Sequence, residues 1–168
     1  MEPVECIEWV DAAQLQANTY NPNMVFNTEL RLLERSILKT GWTQPILISR
    51  DDIIIDGFHR WRLAQDSPAL VKRYGGKVPC ARLDVGPDEA MLLTIRMNRA
   101  KGTAAAFRMS AVIKRLIDEF GRDPQELAIE SGGTIAEIDL LYQDSIFKAR
   151  HIAEYQYSKA WEPIEVKK

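Results

Sequence analysis

The chain has 168 residues, 46% of them hydrophobic and 27% charged, with a formal net charge of −2. This is enough apolar material for one domain, or one domain plus a small helical appendage, and it excludes an intrinsically disordered composition. It also excludes nucleic-acid binding through a bulk excess of Lys and Arg, so any DNA contact must come from a local patch.

Cys6 and Cys80 are the two cysteines. They lie far apart, with no CxxC or metal spacing, which fits a reducing cytoplasm better than a disulfide scaffold. No apolar run reaches membrane-spanning length. The acidic opening Met1-Glu2-Pro3-Val4-Glu5 lacks the basic and apolar regions of a signal peptide. A cytoplasmic protein with no membrane partner is expected.

In chain order, Ile7 to Val10 reads as a short strand, and Asn18 to Asn23 is turn chemistry around Pro22. Thr28 to Thr40 reads as an amphipathic helix with Leu30, Leu33 and Ile37 on one face, Thr28 as its N-cap and Gly41 as its stop. Gln44 to Ser49 and Asp52 to Asp56 read as two strands of a hairpin linked by Arg50-Asp51; the second is apolar enough to be buried on both faces. Gly57 breaks that strand. Phe58 to about Tyr74 is helical, interrupted at Ser67-Pro68 and ended by Gly75-Gly76. Val78 to Val85 is another strand, and Pro87 opens a helix that stops near Asn98.

The rest is helical in pattern: Ala104 to Phe120, Pro124 to Glu130, Thr134 to Tyr142, and Ser145 to about Tyr155. The expected fold is therefore α/β (α+β), a small mixed-sheet domain over 1–103 followed by an all-helical tail over 104–168. Within the tail, Pro124 to Tyr142 has helix-turn-helix spacing. Its second helix offers Thr134, Glu137, Asp139, Gln143 and Asp144, and carboxylates repel phosphates, so a degenerate unit used for packing or partner contact is favoured. Lys148, Arg150 and His151 form a small basic patch. Trp161 reads as docking on the body, and Trp9, Trp42 and Trp61 as packing residues, with base stacking by Trp42 or Trp61 as the runner-up.

The strongest local signal is Asp56-Gly57-Phe58-His59-Arg60. A strand that ends at a glycine where a helix begins aims backbone N–H groups and the positive end of a helix dipole at one point. His59 and Arg60 add donors in the first turn, and Asp56 is placed to position Mg2+ or a hydroxyl. On spacing alone this stands level with an ordinary strand-to-helix turn carrying an Arg salt bridge. A second cluster, Arg96-Met97-Asn98-Arg99-Ala100-Lys101-Gly102-Thr103, is equally compatible with cations complementing a helix C-terminus. A third, Thr43-Gln44-Pro45 with Asn18 and Asn21, means by itself only turns.

Taken in order, Gly41-Trp42-Thr43-Gln44-Pro45-Ile46, Asp56-Gly57-Phe58-His59-Arg60-Trp61 and Asn98-Arg99-Ala100-Lys101-Gly102 resemble the motifs of the ParB/sulfiredoxin superfamily, over roughly residues 5 to 103. The resemblance implies a nucleotide pocket made by Gln44, Pro45, Gly57, Phe58, His59, Arg60, Asn98, Arg99, Lys101, Gly102 and Thr103, with ATP or CTP as ligand and Mg2+ as an accompanying ion. Tyr157-Ser158-Lys159-Ala160-Trp161-Glu162 resembles the Tyr-Ser-x-x-Trp ending of a phage and prophage branch. That branch includes the co-activator of immunoglobulin-binding regulator B type, which implies a PAPS-reductase-like protein partner. Phe58 stands where sulfiredoxins carry their catalytic Cys, which argues against sulfinate reduction. Phe58-His59-Arg60 and Met97 replace the Glu-Arg-Arg and Glu of partitioning ParB proteins, which argues against a clamp driven by CTP hydrolysis. Asp56 to Arg60 also resembles the Asp-Gly-x-His-Arg element of the superfamily's free-serine kinases.

Three functions follow as expectations. The first is a nucleotide-binding regulatory protein acting in phage, prophage or plasmid DNA transactions or transcription control, with weak DNA contact. The second is a Mg2+-dependent phosphotransferase, NTPase or nuclease in which Asp56 and His59 are catalytic. The third is an interaction protein with a relic pocket. A second copy of the chain is a further expected partner.

Overall fold

Residues 2–19, 27–100 and 106–143 are described by a computed structural model. The sheet takes its order from which strands are most apolar. β2 (Ile46–Ser49) and β4 (Lys77–Leu83) are buried along most of their length and run parallel side by side at the centre. β1 (Ile7–Asp11) pairs antiparallel on the far side of β4, and β3 (Ile54–Asp56) antiparallel on the far side of β2, giving the order β1-β4-β2-β3.

The β2–β3 hairpin carries a bulge at Leu47/Ile48. Its turn is held by the Ser49 hydroxyl, which accepts from the amides of Asp51 (3.3 Å) and Ile53 (3.2 Å). Asp52 takes a left-handed conformation there, φ 60°. Ile54 and Ile55 are both buried, as expected of a strand covered on two faces.

Helix α1 (Asn27–Thr40) precedes β2. The hairpin is followed by α2 (Phe58–Asp66) and α3 (Pro68–Tyr74), divided as expected at Ser67, whose side chain caps α3. The helix before β2 starts at Asn27, so Thr28 lies inside its first turn and is not the N-cap. Gly41 ends it in the left-handed conformation (φ 83°). Ala12, Leu15, Ile46, Ile48, Ile54, Ala64, Val78 and Cys80 form the core under the sheet, with Trp42, Phe58 and Trp61 packed at its margin.

After β4 come α4 (Pro87–Ala100), α5 (Ala106–Asp118), α6 (Pro124–Ser131) and α7 (Ile135–Gln143). A second core joins Met91, Leu92 and Ile95 of α4 to Val112, Ile113 and Leu116 of α5, Leu127 of α6, and Ile138 and Leu141 of α7. α4 belongs to both parts of the molecule: the buried Thr94 hydroxyl lies 3.1 Å from the carbonyl of Ile55 in β3 and 2.9 Å from that of Ala90 on its own helix, sharing its one proton between them. No helix among the described residues is long and apolar enough to cross a membrane. The expected last helix from Ser145, the basic patch Lys148, Arg150 and His151, and Trp161 lie outside the described residues.

Candidate functional site

β3 delivers the chain to Gly57, and the backbone there decides the geometry. Gly57 is left-handed at φ 98°, and a Cβ at this position would sit 3.2 Å from Ile46 Cγ1 and 3.3 Å from Ile46 Cα. Glycine alone meets both conditions, the positive φ and the close approach of β2. From this turn α2 starts at once with Phe58, and the amide of Trp61 closes the first helical bond on the Gly57 carbonyl (3.0 Å). The amides at the head of α2 therefore point out of the helix rather than to its own carbonyls, and the helix dipole places positive potential there.

Arg60 is a strut of this turn. Its Nη1 donates to the carbonyl of Gln44 (2.8 Å), and its Nη2 lies 3.3 Å from the Asp56 carboxylate. Both side chains are 13% exposed. Burial pushes the guanidinium below its ordinary pKa, and Asp56 pulls it back up. So Gln44 and Asp56-Gly57-Arg60 of the first two motifs are in direct contact, through a backbone carbonyl that sequence reading did not single out. Pro45 lies between Gln44 and β2 and is half-buried. Phe58 packs at the margin of the sheet core, edge-on to His59 (ring centroids 5.4 Å) and against Trp61 (5.4 Å). Trp61 Nε1 in turn donates to the carbonyl of Ala12 (2.7 Å). The rings of Trp42 and Tyr74 meet edge to face (6.0 Å), and Trp9 stacks on Tyr74 (5.9 Å) while remaining half exposed.

The third motif reaches β3 through α4. Asn98 is buried and lies one turn beyond Thr94 on the same side of the helix. Arg99 turns the other way. Its Nη1 and Nη2 grip Glu137 of α7 at 2.8 and 3.2 Å, and Nη2 also meets the carbonyl of Gly132 (3.4 Å). Arg96 is likewise held by Glu89 and Glu130. Two of the three cations of this cluster thus tie α4 to α6 and α7; Lys101, with Gly102 and Thr103, lies outside the described residues. Glu137, one of the carboxylates that argue against DNA reading by this helix, is engaged internally, and nothing local in the sequence marks it as the partner of a residue 38 positions earlier. Asn18, read as part of a polar turn, donates from Nδ2 to the carbonyl of Ile54 (2.6 Å) and so braces β3; Asn21 lies outside the described residues.

The donor set suits an anion better than a divalent cation. Asp56 is the acid placed at the turn, and Arg60 already neutralises it. No group of three or more His, Cys, Asp or Glu that would hold a metal is found among the described residues. Mg2+ bound by the protein alone does not fit these residues.

Comparison with known proteins agrees with this architecture. Residues 2–73 match the ParB N-terminal domain. The uncharacterized protein YbdM of Escherichia coli (strain K12) is 37% identical over 164 residues, which cover 95% of this chain and 78% of that protein. The solved Pnob8-like ParB-N domain aligns with a TM-score of 0.59 at 13% identity, covering 90% of this chain and 75% of that one. The C-terminally truncated chromosome-partitioning protein ParB of Caulobacter crescentus, complexed to the centromeric parS site, aligns with a TM-score of 0.51 at 20% identity, covering 80% and 69%. The mixed sheet and its helices thus have the fold of a ParB-type N-terminal domain, whose family model matches residues 2–73, and the chain belongs to one family with YbdM.

Proposed function

We propose that this is a nucleotide-binding regulatory protein of ParB type, in which nucleotide phosphates sit at the head of α2. The observation that carries the reading is Gly57: a left-handed residue with no room for a Cβ, turning β3 directly into a helix whose first amides face outward. Such a turn suits an anion through backbone donors and helix dipole together. In this reading Arg60 holds the turn rigid through Gln44 and Asp56, so the cradle is organised before ligand arrives. His59 stands in the first turn with its ring nitrogens buried, so in this reading it reaches the phosphates only if its ring turns outward as they bind. Asn98 closes the far side from α4, with Lys101, Gly102 and Thr103 following it.

The site connects to the helical tail through the Arg99–Glu137 pair. A ligand that draws Arg99 to its phosphates loosens α7, which gives binding a route to a partner surface. DNA transactions or transcription control, in a phage or prophage setting, is the context the family resemblance suggests, and a PAPS-reductase-like protein is the partner it suggests. Direct reading of DNA by α7 is disfavoured: Ala136, Asp139 and Leu140 are exposed on it, and none is basic.

The test is calorimetric titration with CTP, ATP, GTP and ADP in the presence of Mg2+, followed by a product assay on any nucleotide that binds. Saturable binding without turnover is expected. Turnover would replace the regulatory reading with the phosphotransferase or NTPase reading. Absence of binding to all four would leave an interaction protein with a relic pocket.

A further inference from the structure

β1 is one edge of the sheet, and no described strand lies beyond it. Its hydrogen-bonding phase follows from one bond. The register Ile7↔Ala81 to Asp11↔Lys77 continues to Ala12 and Gly76, where the Ala12 amide donates to the Gly76 carbonyl at 2.9 Å. Bonded and non-bonded pairs alternate along an antiparallel ladder. Glu8 and Val10 therefore bond to β4, while Ile7, Trp9 and Asp11 turn their N–H and C=O groups to the open edge. Pro79, which has no N–H to give, stands opposite Trp9 in the non-bonded phase.

The edge is mixed in character: Ile7 and Trp9 alternate with the exposed carboxylates of Glu8 and Asp11 along the strand, so charge limits how it can pair. Ile7 is 39% and Trp9 50% exposed. A depression of about 450 Å3 lies beside the strand; Glu8, Trp9, Val10 and Asp11 line one side of it, with Gln14, Asp52, Lys77 and Arg82 completing it.

We propose that β1 pairs with β1 of a second copy, antiparallel about a two-fold axis at Trp9, so that the two sheets become one. Charge selects the occupant and the register. Outward-facing residues must meet outward-facing residues, which allows two-fold axes at Glu8, Trp9 or Val10. An axis at Glu8 sets Glu8 against its own copy, and like charges directly opposite are destabilising. An axis at Val10 leaves Ile7 without an opposite residue in the strand. With the axis at Trp9, Ile7 pairs with Asp11, Trp9 with Trp9 and Glu8 with Val10. Every outward group of the strand is then bonded and no like charges meet. The strand is self-complementary, as an isologous interface requires.

Sedimentation velocity of the full chain, combined with amide hydrogen exchange, tests this. The wild type is expected to sediment as a dimer. Its Ile7, Trp9 and Asp11 amides should then be as protected as those of Glu8 and Val10. Trp9→Glu puts two carboxylates on the axis, so it should give a monomer in which only the Ile7, residue-9 and Asp11 amides lose protection. A monomeric wild type, a dimer whose Ile7, Trp9 and Asp11 amides exchange freely, or a folded Trp9→Glu dimer would each overturn the proposal. None of these outcomes bears on nucleotide binding at Gly57.

Discussion

At Gly57 one hydrogen atom in place of a methyl group decides whether the site exists. Gly57→Ala must place a Cβ 3.2 Å from Ile46 and hold an L-residue at φ 98°. The expected loss is about 1–3 kcal/mol, the range for a strained backbone position, read from urea unfolding. Gly75 is also left-handed (φ 63°), but a Cβ there meets nothing within 4 Å. Gly75→Ala should therefore cost less, about 1–2 kcal/mol from handedness alone. If the two variants are equally stable, close packing at Gly57 has been overestimated.

Cys80 offers a second test at this scale. Burial chiefly, with Glu8 adding to it, pushes its thiol up to about 12. The folded state thus keeps a proton that the unfolded thiol, at about 8.5, gives up. The contribution to stability is complete below the unfolded value and is lost as pH rises from there toward 12. Correspondingly, a thiol reagent at mildly alkaline pH should label the exposed Cys6 and spare Cys80 until denaturant is added. Labelling of both cysteines in the native protein would contradict the burial of Cys80.

Among the elements, α4 does two things at once. Thr94 bonds β3, while Met91, Leu92 and Ile95 found the helical core. Because that core is shared, Ile113→Ala on α5 should destabilise the chain by about 2–5 kcal/mol, as large-to-small changes in a closed core do. Arg99→Ala, which removes a partly exposed ion pair, should cost under about 1 kcal/mol, because Ile138 and Leu141 still hold α7 in the core. Thermal denaturation orders the two, and a larger loss for Arg99→Ala would mean that the pair rather than the core joins α7 to the body.

Most of these elements were legible in the sequence because their signals are local. Ser67-Pro68 divides two helices, Gly41 and Gly75 stop them, and Ile53 to Ile55 has the continuous apolar character of a buried strand. The Gly57 turn was legible for the same reason, as strand, glycine and helix fall within a few residues. The partners across long separations were not. Arg60 meets the carbonyl of Gln44, and any residue type would offer that carbonyl, so side-chain identity carried no trace of it. Arg99 finds Glu137 38 residues away, and on its own helix Glu137 looks like one more solvated acid. Thr94 did leave a faint mark, as a hydroxyl next to the apolar Ala90, Met91 and Ile95, and its contact with the Ile55 carbonyl accounts for it.

At the scale of the whole molecule, the net charge of −2 and the acidic character of the α6–α7 unit set the terms for nucleic acid. Glu137 is occupied internally, Asp139 is exposed, and Ile129, 80% exposed, gives this unit an apolar rather than basic surface. Fluorescence anisotropy with duplex DNA should show weak binding that disappears as salt is raised, since few phosphates are neutralised. Tight binding at physiological salt would contradict this reading of the tail.

The central claim is that the head of α2 is a nucleotide-phosphate cradle, and one titration addresses it directly. His59→Glu sets a negative charge in the first turn of α2, beside where the phosphates would sit; because the ring nitrogens of His59 are buried, circular dichroism first checks that the variant folds. Calorimetry of the wild type and of the folded variant with CTP and ATP should show saturable binding in the first and none in the second. Equal affinity in both proteins, or no binding by the wild type, would contradict the account.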